Sequence, residues 1–379
     1  MKGYFDYNGT VPVDAKIKEE LGEWLEYGVP GIPGPRGRRT SGLLEMARSV
    51  ITGTPGLEEY DIAFTSGGTE ANRLALEFLY MRTLRAGLTD GNFLRDRVLI
   101  FALDHSSILR QAQPLRNMGY DVMLIPATSG GTADLDFIAD KANASTCLLS
   151  LMLANGDTGV LQPVEAVSEI CKSRGIHFHC DASQAPGKTD IRWYGFQPDT
   201  ISISGHKFGG LAGTGALFFR RLRRPESTFF GDDPVVRPGM PNTPGILSMA
   251  HAWKTAQHDI SHRLACMGAK RDSFQSGLLQ LIPSARILGG RSPRLGNTVA
   301  FILPGVTPER LIQFLERQEL HLGILHGYQG IHSPSPALLE MGEDSEAGVA
   351  CRFSIWDNTE EKEIEDLLSS LNSLTESEV

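Results

Sequence analysis

From about residue 60 to 220, short apolar runs alternate with stretches of helical spacing. Val98-Leu99-Ile100-Phe101, Val122-Met123-Leu124-Ile125, Leu148-Leu149-Ser150-Leu151, His177-Phe178-His179 and Thr200-Ile201-Ser202-Ile203 have the length and makeup of buried strands. Between them, Glu70 to Arg82, Ser106 to Asn117 and Pro163 to Arg174 read as helices. This alternation predicts an α/β fold with a mostly parallel central sheet covered by helices on both faces. Ligands of such sheets bind beyond the carboxyl ends of the strands.

The flanks differ. Asp14 to Tyr27 carries apolar residues at helical spacing (Ile17, Leu21, Trp24, Leu25), whereas Gly28 to Gly42 reads GVPGIPGPRGRRTSG. So much glycine, proline and arginine predicts an irregular loop. It is either plain surface or a loop beside a site, with Arg36, Arg38 and Arg39 available to anions. A long helical stretch, Ile246 to Leu281, leads to strand-like Thr298 to Leu303 and the helix Pro308 to Arg317. Strand-like Cys351 to Ile355 and an amphipathic helix from Glu360 to Leu374 follow, which together predict a smaller α+β domain. The expected division is 1–20 packing with the small domain, 21–250 as the large domain and 251–379 as the small one.

Composition narrows the classes. The 379 residues are 41% hydrophobic and 21% charged, a well-cored globule, and the net charge of −9 opposes a nucleic-acid surface. No apolar run approaches the roughly 18 residues that span a bilayer, and MKGYFDYNGTVPVD lacks a secretory apolar core. The five cysteines have no CxxC spacing, so a reduced cytoplasmic protein without a metal site is expected.

The chemistry gathers at the strand ends. Thr65-Ser66-Gly67-Gly68-Thr69-Glu70 follows a short apolar strand and opens a helix, as a phosphate cradle or an ordinary glycine turn would. Asp104-His105-Ser106-Ser107 caps a helix or offers an imidazole for stacking and proton transfer; Asn155-Gly156-Asp157 is a turn whose amide can donate. Asp181 and Gln184 follow one strand and Lys207 the next, in Ser204-Gly205-His206-Lys207. An amine that attacks an aldehyde and a carboxylate that holds a pyridinium nitrogen are what a pyridoxal phosphate enzyme requires.

Taken as an ordered set, TSGGTE, DHSS, NGDTG, HCDASQAPGK and SGHKFGGLAGTGALFFR resemble the cysteine desulfurase branch of the class V aminotransferases. The likeness runs from Phe5-Asp6-Tyr7-Asn8 to Cys351-Arg352 and implies the fold-type I pyridoxal phosphate architecture. It further implies that Lys207 carries the cofactor as a Schiff base and moves the α-proton. By the same likeness Asp181 pairs with the pyridine nitrogen, His105 stacks on the ring, and Asn155 and Gln184 contact its phenolate side. Gly68, Thr69, Ser204 and His206 would bind the phosphate, and Thr243 would reach the neighbouring site of a homodimer. Arg352 would clamp the substrate carboxylate, with Asn8, His326 and Tyr328 near the substrate.

One departure bears on the reaction. Desulfurases of this kind carry a nucleophilic cysteine on a loop that corresponds to Gly323 to Ser333, and this sequence has none there. It offers His326, Tyr328 and His332 instead. The expected activity is therefore a C–S lyase, eliminating the β-substituent of a cysteine-derived amino acid without a persulfide. The alternatives are an aminotransferase, an epimerase, or a non-catalytic desulfurase-like partner in a sulfur-transfer assembly.

Overall fold

The computed structural model describes residues 2–77, 95–191, 195–221, 237, 239–327, 330–331, 333–343 and 348–376. A seven-stranded sheet has the order β2-β8-β7-β6-β5-β3-β4. These strands are β2 (Tyr60–Thr65), β3 (Arg97–Phe101), β4 (Asp121–Ile125), β5 (Thr146–Ser150), β6 (His177–Asp181), β7 (Thr200–Ser204) and β8 (Gly215–Arg220). The five from β4 to β7 run parallel, and β8 lies antiparallel between β7 and β2. All residues of β5 and β7 are buried, the alternating Thr and Ser of β7 included, as in a sheet covered on both faces. The antiparallel β8 went unread in the sequence.

Three local expectations give way. Gly28 to Gly42 is not all loop: helix α2 (Pro35–Thr52) starts inside it and follows α1 (Ala15–Leu25). Pro35 stands in the first turn, where its missing N–H has no partner to lose, and Gly34 at φ 126° makes the preceding bend. A Cβ on Gly37 would lie 2.0 Å from the Ile32 carbonyl oxygen, so that glycine closes the corner. The helix expected over Ser106 to Asn117 divides into α4 (Ser106–Leu109) and α5 (Ala112–Asn117). Pro114 has no N–H for the carbonyl one turn earlier. Helix α3 begins at 68 and is described to 77, so the end expected at Arg82 lies outside the described residues.

The long stretch from Ile246 is two helices, α8 (Thr243–Gln257) and α9 (Ile260–Leu281). Asp259 breaks them at φ 49°, a left-handed conformation that Asp tolerates better than most. The break is where the chain leaves one core for the other. Trp253 of α8 is buried against Phe208 and Phe218, its indole N–H donating to Thr54 Oγ1 at 2.9 Å. Truncating such a residue to alanine costs about 3–5 kcal/mol. Met267, Phe274 and Leu278 of α9 belong instead to a second core with Phe301 and Phe353.

That second core covers a five-stranded sheet of order β1-β11-β12-β10-β9. Its strands are β1 (Tyr4–Phe5), β9 (Arg286–Leu288), β10 (Thr298–Pro304), β11 (His321–Ile324) and β12 (Gly348–Ser354). Because β1 pairs in parallel with β11, the next residues, 6–10, are carried from this sheet to the ends of β6 and β7.

Candidate active site

At the carboxyl ends of β3, β5, β6 and β7 lies a cleft of about 890 Å³, reached also by Ile324, His326 and Arg352 from the second sheet. Lys207 leaves β7 in a single 3-10 turn, Gly205–Phe208, ended by Gly209 at φ 96°. Its Nζ donates to the carbonyl oxygens of Asn8 (2.7 Å) and Gly9 (2.9 Å). Burial, aided by the charge of Arg352, lowers the pKa of this amine to about 8. A lysine so depressed offers free amine near neutral pH, as a nucleophile or base requires.

Asp181 ends β6 and is nearly enclosed. Its Oδ1 accepts from the Ser183 N–H at 2.9 Å and its Oδ2 from Asn72 Nδ2 at 2.7 Å. His105 caps α4 and exposes its ring to the cleft, its Nδ1 lying 2.8 Å from Ser107 Oγ and 3.2 Å from the Ser107 amide nitrogen. Asn155 holds its turn by accepting from the amides of Asp157 and Thr158 at 3.0 and 2.8 Å and donating to Leu103 O at 3.2 Å. One amide hydrogen remains on Asn155, and one on Gln184, whose Nε2 donates to Asn8 O at 2.9 Å.

Gly68, Thr69, Ser204 and His206 line the same cleft. A Cβ on Gly68 would approach Ser183 Oγ to 3.0 Å and Ser204 Cβ to 3.3 Å, so the glycine keeps this corner narrow and rich in donors. The first N–H groups of α3 have no partner within the helix and add to that supply. Burial, then the charge of Lys207, lowers the His206 pKa to about 4, which keeps its ring neutral.

The substrate end differs from its simplest expectation. Arg352 is engaged on both edges: Nε and Nη2 lie 2.8 and 2.7 Å from Asp6 Oδ1, and Nη1 donates at 3.0 Å to Gly156 O and to Asp157 Oδ1. Of the two acids, Asp157 is the more exposed. Asn8, expected to touch the substrate, is fully enclosed. Its amide is held by Gly156 O, Thr298 Oγ1 and Asn297, so only its main-chain carbonyl faces the site. His326 lines the cleft and its Nδ1 lies 2.9 Å from Gly327 O; a carbonyl only accepts, so Nδ1 carries the proton and Nε2 is the outward nitrogen. Tyr328 and His332 lie outside the described residues. Thr243 is not a cleft residue of its own chain; it starts α8, beside Asn242, whose Nδ2 reaches the cleft residue Gly213 at 3.5 Å.

Several site residues were not singled out from the sequence. Asn72 is a polar residue on the buried face of α3, between Ala71 and Ala75, and that misfit with its apolar neighbours was its signal. Lys188 is fully buried, donating to Gln184 Oε1 at 2.6 Å and Tyr7 O at 3.3 Å, and burial holds its pKa well below the usual lysine range. Asp6 and Asp157 had no assigned role until they appeared on Arg352.

An amine with a depressed pKa, a hydrogen-bonded carboxyl group, an exposed imidazole and a donor-rich glycine corner fit pyridoxal phosphate in its aldehyde, ring and phosphate parts. The aminotransferase class-V family model matches residues 3–367. The cysteine desulfurase IscS of Histophilus somni (strain 2336) is 30% identical over 372 residues, covering 96% of this chain and 90% of that protein. The cysteine desulfurase IscS of Methanosarcina thermophila is 29% identical over 325 residues, covering 84% of this chain and 78% of the relative. A solved NifS-like protein superposes with a TM-score of 0.88 at 27% identity, covering 100% of both chains. The chain thus belongs to the aminotransferase class-V family and is a pyridoxal phosphate-dependent enzyme of its cysteine desulfurase-like branch.

Proposed function

We propose that the protein is a C–S lyase that removes the sulfur substituent from Cβ of cysteine or a cysteine-derived amino acid. The reading is carried by one observation: the cleft that holds the Lys207 amine has no cysteine along residues 323–335. The five cysteines lie at positions 147, 171, 180, 266 and 351, none of them on the cleft wall. Burial pushes the Cys171 thiol up to about 12, away from thiolate chemistry, and Cys351 is enclosed in β12.

Bound pyridoxal phosphate supplies the electron sink that stabilises negative charge at Cα. Within that chemistry Lys207, as free amine, takes the α-proton. Asp181 keeps positive charge on the ring nitrogen, and His105 covers the ring face. Asn155 and Gln184 serve the phenolate side, while Gly68, Thr69, Ser204 and His206 hold the phosphate. Arg352 exchanges Asp157 for the substrate carboxylate, His326 lies beside the substrate side chain, and the ammonium formed when Lys207 takes the α-proton protonates the departing sulfur. The C–S bond breaks with its electron pair on sulfur, leaving 2-aminoacrylate, which water converts to a keto acid and ammonia.

The same reading includes a homodimer in which Thr243 serves the neighbouring site, and a reduced cytoplasmic setting. Among the described residues no helix is long and apolar enough to cross a membrane. Incubation of the loaded protein with cysteine, cystine and S-substituted cysteines tests the lyase. Keto acid and released thiol or sulfide in equal amounts are expected. Stoichiometric pyridoxamine phosphate without thiol would establish transamination instead, and sedimentation at monomer mass would remove the dimer.

A further inference from the structure

Beneath the cleft floor a single side chain joins two of the groups that face the cofactor. Asn72 is almost fully buried and makes four side-chain contacts. Its Nδ2 donates to Asp181 Oδ2 at 2.7 Å and to Ser107 Oγ at 2.9 Å. Its Oδ1 accepts from His179 Nε2 at 3.0 Å and from the Ser202 hydroxyl.

The directions of these bonds are forced. A carboxylate only accepts, so the edge of Asn72 toward Asp181 is the NH₂ group and the other edge is the carbonyl. That carbonyl only accepts, so His179 carries its proton on Nε2. Burial lowers the His179 pKa to about 4, so its Nδ1 is bare and takes the Thr200 hydroxyl proton across 3.0 Å. On the other branch Ser107 Oγ accepts from Asn72 and turns its own proton to His105 Nδ1 at 2.8 Å, where the Ser107 N–H also points. The neutral His105 ring then has its proton on Nε2.

We infer that Asn72 is a positioning residue which sets the polarity of the cofactor seat, holding Asp181 as an acceptor and His105 as an Nε2–H donor. His105 therefore keeps Nε2–H for the cleft and is no base toward the substrate. The inference rests on the cofactor seat and is independent of which bond of the substrate is cleaved.

The wild-type chain tests it directly. In cofactor-free protein labelled with ¹⁵N-histidine, proton–nitrogen spectra should show bare Nδ1 and protonated Nε2 for both His105 and His179. A proton on either Nδ1 in the neutral ring overturns the inference without any variant. Asn72→Asp keeps the shape but sets a second carboxylate against Asp181 and draws the Ser107 hydroxyl away from His105. It should give His105 a detectable Nδ1–H population and weaken pyridoxal phosphate binding by roughly tenfold or more, the loss expected for a charge-assisted hydrogen bond. Asn72→Ala should weaken binding similarly and move the pH at which the bound cofactor changes absorbance. Loss of thermal stability in both variants, with dissociation constant, His105 tautomer and absorbance midpoint unmoved, would reduce Asn72 to packing and refute its positioning role. Lyase activity on cysteine can stand or fall without altering any of these readings.

Discussion

The depressed pKa of Lys207 makes the sharpest quantitative demand on this site. An ordinary lysine titrates at 10.5, and here burial, followed by the charge of Arg352, brings the value to about 8. At pH 7.5 roughly a quarter of such amines are free, against about one in a thousand for the ordinary group, a gain near 200-fold. Cofactor-free protein exposed to brief pulses of an aldehyde and a mild reductant should accumulate adduct at position 207 in proportion to that fraction. Mass spectrometry of the peptide across pH 6 to 10.5 would give the midpoint, expected near 8. Arg352→Gln removes the second contribution and leaves Asp6 and Asp157 unopposed, so the midpoint should rise. It should stay below that of a free lysine, because burial persists. The folded chain also surrenders this proton earlier than the unfolded one. The resulting stability penalty is complete below about 8 and disappears as the pH climbs toward 10.5. A wild-type midpoint near that of ordinary lysine, or a midpoint lowered by Arg352→Gln, would refute the electrostatic account.

Arg352→Gln should also raise KM for carboxylate substrates about tenfold or more while the cofactor dissociation constant changes little; equal loss of both would mark an arginine that only ties residues 6 and 157 together. Burial raises the Asp104 pKa to about 7, against bonds from Ser150 and the Met152 N–H that favour the charge. The folded state then binds the extra proton, so this group's contribution to stability declines between roughly pH 4 and 7. Asp104→Asn, which keeps an acceptor for Met152, should flatten that decline by up to a few kcal/mol in urea titrations; an unchanged slope would refute it. Gly215→Ala would place a Cβ 2.5 Å from the Gly67 carbonyl carbon and 2.7 Å from Ile203 O, forcing β8 and the 66–69 turn apart. Cofactor affinity measured by dialysis should fall about tenfold or more, and undiminished affinity would remove that turn from the phosphate seat.

Much of this molecule could be read along the chain because its determinants are local. A buried parallel strand such as β3 holds a continuous apolar run, while Asp181 ends β6 and the turn after β7 carries Lys207 wherever the sheet forms. Period alone could not find the end of a helix that turns on one backbone angle. Asp259 has an ordinary helical neighbourhood in sequence, yet the passage between two cores requires its left-handed conformation. Proline misled in the opposite sense: in a loop-like string, Pro35 begins α2 because the first turn needs no donor there.

The sequence determined by itself which side chains end the central strands, since a strand followed by a polar turn is a local pattern. What Arg352 and Asn8 touch was decided only in three dimensions. Asp6 lies 346 positions from Arg352, and Asn8 lies 289 from Asn297. The small sheet, by pairing β1 with β11, brings these distant groups together. The bonding of Asn72 was equally out of reach, because its partners come from α4, β6 and β7. Local periodicity specifies which face a residue takes, but hydrogen-bond direction depends on what the folded chain sets opposite it.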